Sequence, residues 1–403
     1  MRLLINQLKA IRRYYLKQNA RYVQWRVRFD RESRLRLISL KRKFKMFIAS
    51  PLRKKPSFLI GPTNSANQGT LWSRVLSKAG FPSQSLRISS DSAIEWFTTD
   101  FALNRTEWSD YKRRQDLADL VAATKDVVLF ESLRPIFRLL NVKDGRNQVL
   151  EDLELMELMG KKVGVVFHGS DIRDTKAHAA RNPYSPFHHE SEDLVKMRAR
   201  TTENALLLPW LRERKIPIFV TTKDLLVDVP DAHWLPITID FERFQHVAIT
   251  APIFPDAAEK LRVLFLPSRS WLKSADLIEP VLIKLREEGV ISYHSYIASG
   301  ETLKHSQIPS VMATADLVID QYLGVIGVFP LEALAAGRLV MSYLPAEAGE
   351  IPIINITPET LESEIRRVAQ DRPRQVAGVE YAMQWHDGRE SLLALAEVFG
   401  LKI

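Results

Sequence analysis

Ala315-Asp316-Leu317-Val318-Ile319-Asp320-Gln321-Tyr322-Leu323-Gly324-Val325-Ile326-Gly327-Val328-Phe329-Pro330-Leu331-Glu332-Ala333-Leu334-Ala335-Ala336-Gly337-Arg338-Leu339-Val340 reads as one repeat unit of a parallel sheet. Residues 316–320 are a short apolar run between aspartates. The run lacks polar alternation, as expected of a strand buried on both faces. A glycine-containing loop follows, then a helix over 329–336 that stops at Gly337, then a strand over 339–343. This order aims the helix N-terminus, with its unpaired N–H groups and positive dipole end, past the C-terminal edge of the strand. Glu332 falls one turn inside that helix. A carboxylate there can accept two hydrogen bonds from a ribose diol, and it is equally an ordinary choice near a helix N-terminus.

The same rhythm extends in both directions. Downstream of residue 260, 261–266 and 291–297 read as strands, and 275–288 and 307–314 as helices. Upstream, strand patterns fall at 57–61, 86–88, 127–130, 163–167, 218–221 and 234–236, with helical patterns between several of them. A composition break lies around Ala251-Pro252 and Phe254-Pro255. The expected organisation is a basic, mainly helical arm over 1–56, a Rossmann-like domain over 57–250, a second over 251–385, and a C-terminal helix within 386–403. Two such domains place a cleft between the C-terminal ends of two parallel sheets, which is where ligands bind in these folds.

Of the 403 residues, 46% are apolar and 26% charged, the balance of a globular protein with a sizeable core. The absence of cysteine excludes a disulfide scaffold, thiolate zinc sites and a cysteine nucleophile. No transmembrane span or secretory signal is read, so a cytoplasmic location is expected, peripheral to a membrane if the arm binds one. The net charge of +9 is unevenly spread: residues 1–55 hold 18 Lys and Arg against two acids, while the rest of the chain is mildly acidic. The arm carries two helical stripes, Leu4, Leu8, Ile11 and Tyr15, then Leu37, Leu40, Phe44 and Phe47. Three readings stand: a basic helix that docks on the body or another subunit, an interfacial arm on anionic lipid, or a nucleic-acid contact. No zinc-finger, homeodomain or RNA-recognition signature supports the last, so nucleic acid is not expected as a partner.

Candidate chemistry gathers at the strand ends. The turn Gly61-Pro62-Thr63-Asn64-Ser65-Ala66-Asn67-Gln68-Gly69-Thr70 lacks the glycine spacing of a dinucleotide site and the Lys-Ser/Thr of a P-loop. It still sets Gly69 at a helix N-terminus suited to an anion or polar sugar, or simply a capped loop. His168 follows the strand 163–167 in His168-Gly169-Ser170-Asp171, at the mouth of the expected cleft. His178, His188, His189 and Glu190 lack ligand spacing, so no metal site is expected there, and a mobile acceptor-side loop is the reading. After the strand 261–266, Arg269 and Lys273 can converge on one phosphate group, the first as a planar fork and the second as a point charge. Solvated loop cations are the alternative.

These residues resemble a family. The run from Asp316 to Val340, with its Gly-x-Phe-Pro-Leu-Glu-Ala-Leu-Ala-Ala-Gly core, looks like the nucleotide-sugar loop of GT-B glycosyltransferases, in particular retaining family 4. Residues 61–79, 167–173, 234–240 and 267–276 resemble further segments of that family in the same order. The resemblance implies a retaining, metal-independent glycosyltransferase that takes a nucleotide-sugar co-substrate, with no other cofactor, and a glycan or lipid-linked acceptor. It implies that Arg269, Lys273 and the backbone N–H groups of Val325, Ile326, Gly327 and Val328 hold the donor diphosphate. Glu332 would hold the ribose, His168 would contact the transferred sugar, and Gly69 would lie near phosphate or acceptor. In that architecture the last helix crosses back onto the first domain. The sequence departs from the pattern at Gly324, where many members carry a second glutamate eight residues before the ribose-binding one. Asp320 or Gln321 would then replace it. The departure also admits a non-catalytic GT-B scaffold whose basic arm binds a membrane or partner.

Overall fold

The structure, a computed structural model, describes residues 33–40, 42, 55–89, 97–140, 145–254, 259–373, 375 and 377–403. Seven strands form the first sheet: β1 (Phe58–Gly61), β2 (Ser83–Ser89), β3 (Phe101–Asn104), β4 (Val127–Glu131), β5 (Lys162–Phe167), β6 (Ile218–Val220) and β7 (His233–Trp234). Five form the second: β8 (Leu261–Phe265), β9 (Ile291–Tyr293), β10 (Leu317–Ile319), β11 (Leu339–Ser342) and β12 (Ile354–Asn355). Every pairing is parallel. The orders are β3-β2-β1-β4-β5-β6-β7 and β12-β11-β10-β8-β9. Both are doubly wound, since the chain runs outward from a central strand to one edge and then returns to that strand's other side. The return opens a switch point between β1 and β4 in the first lobe and between β8 and β10 in the second.

The central strands are buried on both faces because helices cover each side. Phe58, Leu59 and Ile60 of β1 and Val128, Leu129 and Phe130 of β4 are fully enclosed, as are Leu317, Val318 and Ile319 of β10. Each such side chain is worth about 1.5–3 kcal/mol of transfer free energy. This pattern made them legible as strands. By contrast β3, with the sequence Phe-Ala-Leu-Asn, is an edge strand with no enclosed residue, and its short mixed run carries no strand signal. Residues 291–297, expected as one strand, break after Tyr293. Ser295 caps a helical turn at Tyr296–Ser299 by accepting from the Ala298 amide.

Two segments pack away from their neighbours in sequence. The helix Phe241–Thr250, which the expected division at 250 assigns to the first domain, buries Phe244 and Val247 in the second lobe with Leu264, Val318 and Leu331. The last helix, Arg389–Phe399, buries Leu395 and Phe399 against Phe58, Ile60 and Phe219 of the first sheet. Lys162 Nζ donates to the Phe399 carbonyl at 2.8 Å.

Of the arm, residues 33–40 form a helix, and the stripe Leu4, Leu8, Ile11 and Tyr15 lies outside the described residues. The expected second stripe is corrected. Leu37 and Leu40 are exposed, while Leu35, Ile38, Ser39 and Arg42 face inward. That i, i+3, i+4, i+7 arc wins because Leu35 and Ile38 join the core that holds Ala118 and Val121, and Arg42 pairs with Asp119 at 2.8 Å. Phe44 and Phe47 lie outside the described residues. Among the described residues no helix is long and apolar enough to cross a membrane.

Candidate active site

Each switch point is built around one buried carboxylate. In the first lobe it is Glu131, at the C-terminal end of β4 and fully enclosed. Its Oε2 accepts from the Thr63 amide at 2.8 Å and the Asn64 amide at 2.6 Å, and its Oε1 from the Ser65 amide at 3.3 Å. The loop after β1 therefore does gather N–H groups around an anion, and that anion is the chain's own. Asn64, Ala66 and Asn67 all adopt left-handed backbone, which for alanine is a costly conformation held by these bonds. Gly69 is buried at the start of the helix Gln68–Lys78. Beside it Asn64 Oδ1 accepts from the Thr70 amide at 3.0 Å, so the first turn of that helix is capped from within.

The free edge of Glu131 meets His168, whose Nε2 lies 3.1 Å from Oε1. Trp72 stacks on the imidazole at 5.8 Å between centroids and 11° between planes. Asp171 fixes the backbone at this corner: its Oδ1 accepts from the His168 and Gly169 amides, and its Oδ2 lies 2.5 Å from Ser132 Oγ. Burial works to lower the His168 pKa, but the hydrogen bond and charge of Glu131, with Asp171 behind, outweigh it and raise the value overall. Because Nε2 faces a carboxylate, it is the donor in this contact, and the charged form of the ring is favoured relative to a free imidazole. Glu131 was missed in the sequence because it ends an apolar strand and its partners lie 37 and 66–68 residues away.

In the second lobe the carboxylate is Asp320, directly after β10 and 2% exposed. Lys273, from the loop after β8, places Nζ 2.5 Å from Asp320 Oδ1. The other oxygen, Oδ2, is buried with no hydrogen-bond partner among the described residues. Gln321 is already engaged, donating Nε2 to the Val325 carbonyl at 3.0 Å. Arg269 lies on the same loop, exposed and without an ion pair among the described residues. Lys273 and Arg269 thus differ in state: one is neutralised by a buried partner, the other is open to solvent. Val325, Ile326, Gly327 and Val328 are half-buried ahead of the helix Val328–Ala335, whose N-cap Gly327 supplies no side-chain cap. Leu272 and Val325 belong to one apolar cluster, which brings the loops after β8 and β10 together.

Glu332 is buried and has a partner that sequence reasoning missed. His305 Nε2 lies 2.6 Å from its Oε1. Burial pushes the Glu332 carboxyl upward, and the His305 contact only partly opposes this. Phe97, from the first lobe, packs on the His305 ring at 4.9 Å, so this pair stands at the junction of the lobes. It forms a separate centre from Lys273–Asp320.

The segment after His168, expected as a mobile loop, is instead docked structure. The helix Thr175–Arg181 and the turn Pro186–His188 cover the loop after β10. His178 Nε2 bonds the Leu323 carbonyl at 2.9 Å and Nδ1 meets Ser185 Oγ at 2.8 Å. Since a carbonyl only accepts, Nε2 carries the proton. Asn182 Nδ2 donates to the Tyr322 and Leu323 carbonyls, both at 3.1 Å. His188 Nε2 bonds the Asn182 carbonyl. These bonds explain Gly324. Its φ is +80°, and a Cβ there would lie 3.2 Å from Asn182 Nδ2, so any side chain at this position strains the backbone and crowds Asn182. Among the described residues no group of three or more His, Asp or Glu is placed to share a metal ion.

No protein-family model matches the chain, and no curated protein matches it. Among solved structures, Anabaena HepE in complex with UDP and glucose is similar over 86% of this chain and 99% of that one, with 11% identity and a TM-score of 0.51. The fold is GT-B. AviGT4, a glycosyltransferase involved in avilamycin A biosynthesis, is similar over 86% of this chain and 98% of its own, with 11% identity and a TM-score of 0.45.

Proposed function

We propose that this GT-B protein is a glycosyltransferase that moves a sugar from a nucleotide-sugar donor to a glycan or lipid-linked acceptor. The observation that carries the reading is the pair of switch-point centres, Glu131–His168 in one lobe and Lys273–Asp320 in the other. Arg269 and the uncapped amides at 325–328 lie on the second lobe's loops. A nucleoside diphosphate suits these groups, because negative charge grows on it as the glycosidic bond breaks. Asp320 Oδ2, buried without a partner among the described residues, is suited to accept from a donor-sugar hydroxyl in place of the glutamate that many family 4 members carry where this chain has Gly324. Glu332, with His305 on one oxygen, is assigned to the ribose.

A His168 whose pKa is shifted upward by Glu131 suits transfer with retention. It can donate to the sugar or the departing phosphate, and the acceptor proton leaves with that phosphate without any required metal ion. This agrees with the resemblance to family 4. A second reading rests on the same pair: a histidine oriented by a buried carboxylate is also how a general base is built, and a base would invert the anomeric centre. Incubation with a panel of nucleotide sugars, with the product anomer read by NMR, separates the two. If no nucleotide or nucleotide sugar shifts the thermal midpoint, the catalytic reading fails and the scaffold alternative gains.

The arm is proposed to bring the protein to an anionic membrane surface, which would make it a peripheral protein of the cytoplasmic face. The charge excess over 1–55, with Leu37 and Leu40 exposed beside Arg34 and Arg36, supports this. Loss of residues 1–32 together with Leu37→Ser and Leu40→Ser should weaken sedimentation with phosphatidylserine vesicles, and equal sedimentation of the altered protein would dismiss the idea.

A further inference from the structure

A cavity of about 710 Å³ opens in the first lobe alone, at the C-terminal edge of β1, β2 and β4. Its wall includes Thr63, whose amide bonds Glu131, so the cavity adjoins the Glu131–His168 centre. Four arginines from three elements line it: Arg105 from the turn of helix after β3, Arg134 and Arg138 from the loop after β4, and Arg200 from the helix Glu192–Ala205. Glu203 is the one carboxylate on the wall. None of Arg105, Arg134 and Arg200 makes an ion pair among the described residues. Arg138 Nε is buried with no hydrogen-bond partner among them, while its guanidinium stacks on Trp108 at 4.9 Å. Asp152 fixes the loop that carries two of these arginines, accepting from the Ile136, Phe137 and Arg138 amides at 2.6, 2.8 and 3.0 Å. Burial, then the like charges of Arg200 and Arg105, lower the Arg134 pKa, with Asp171 and Glu203 opposing. Such crowding of guanidinium groups is unfavourable until an anion arrives.

We propose that this cavity is the acceptor site and that the acceptor carries a phosphate or diphosphate ester. Four forks against one carboxylate call for a ligand of at least two negative charges, and guanidinium matches phosphate oxygens in paired hydrogen bonds. The apolar part of the wall, Ile88, Leu133, Val149 and Leu207, gives the body that bears the phosphate a surface to lie on. The assignment of acceptor rests on the glycosyl-transfer reading above, whereas the phosphate site itself rests on the cavity.

The test uses the full chain with UDP present at saturation, so that the donor side is occupied. Titration calorimetry with geranyl diphosphate, inorganic pyrophosphate and geraniol reads the site. Geranyl diphosphate should bind, geraniol should not, and the Arg134→Gln/Arg200→Gln variant should weaken the diphosphate by about tenfold or more, the size of one lost charge-assisted contact. UDP binding by that variant should not change, and because neither arginine is ion-paired among the described residues and the two repel one another, its thermal midpoint should not fall below that of the parent. Pyrophosphate binding as tightly as geranyl diphosphate would mark a free anion, and tighter geranyl diphosphate would mark a carrier, both on the same arginines. Diphosphate binding that the double variant leaves untouched, or no binding once UDP is present, overturns the site. Failure of UDP itself to bind defeats the donor reading and leaves the arginine result standing separately.

Discussion

Single residues here act through partners far away in the chain. His168 stands at a strand end, where the apolar pattern of β5 places it, but its state is set by Glu131, which nothing in the neighbouring sequence announces. Substituting Glu131→Gln removes the charge that raises the imidazole pKa and weakens the hold on the Thr63 and Asn64 amides. We expect the His168 pKa, followed by NMR of the ring protons, to fall, and turnover to fall by about 10²–10³-fold, in the range of a lost catalytic hydrogen bond. An unmoved imidazole titration would separate the two residues. Lys273 teaches a similar lesson. Read from its own loop it is a free cation for phosphate, yet it pairs with Asp320, 47 residues on. Lys273→Ala therefore strands a buried carboxylate, which costs about 3–5 kcal/mol. Chemical denaturation should show that loss, and the double variant Lys273→Met/Asp320→Leu should restore most of the stability without restoring nucleotide binding. Full stability of Lys273→Ala would show that the pair is not formed.

Elements were legible where both faces are buried. The strands β1, β4, β8 and β10 announce themselves as short apolar runs, and with them the two doubly wound sheets. The edge strand β3 and the inward face of the arm helix did not, because one has no enclosed residue and the other offers two competing arcs of leucines. The loop between β10 and the helix Val328–Ala335 shows why a motif departure need not be read as lost function. Gly324 lies in left-handed backbone under Asn182. Replacing it with alanine should cost about 1–3 kcal/mol from the backbone conformation alone. Gly324→Glu, which supplies the family's usual carboxylate, should lose stability as well and gain no turnover. A stable and faster Gly324→Glu protein would contradict the described geometry.

At the scale of the whole molecule, neutral buried histidines sit where segments distant in sequence meet: His178 bonds through both ring nitrogens, and His386 through Nδ1 to the Ile237 carbonyl. Burial, with Arg173 adding to it, pushes His178 down to about 4 from 6.5, and burial does the same to His386. Both stay neutral when folded. Their contribution is complete above about pH 6.5 and is lost as pH falls toward 4, because the unfolded chain then binds protons that the folded one refuses. At about 1.4 kcal/mol per unit, each group is worth on the order of 3 kcal/mol across that window. The thermal midpoint should therefore drop steeply between pH 6.5 and 4, and less steeply in His178→Gln, which keeps a donor toward Leu323. An identical slope in that variant would place the acid sensitivity elsewhere. The helix Arg389–Phe399 has a different reach. It covers Phe58 and Phe219, so the first strand of the sheet is sealed by a helix that is made long after it. During translation, at about 5–20 residues per second, a nascent first lobe would wait tens of seconds with that aromatic surface open, a natural place for a chaperone to hold the ribosome-bound chain.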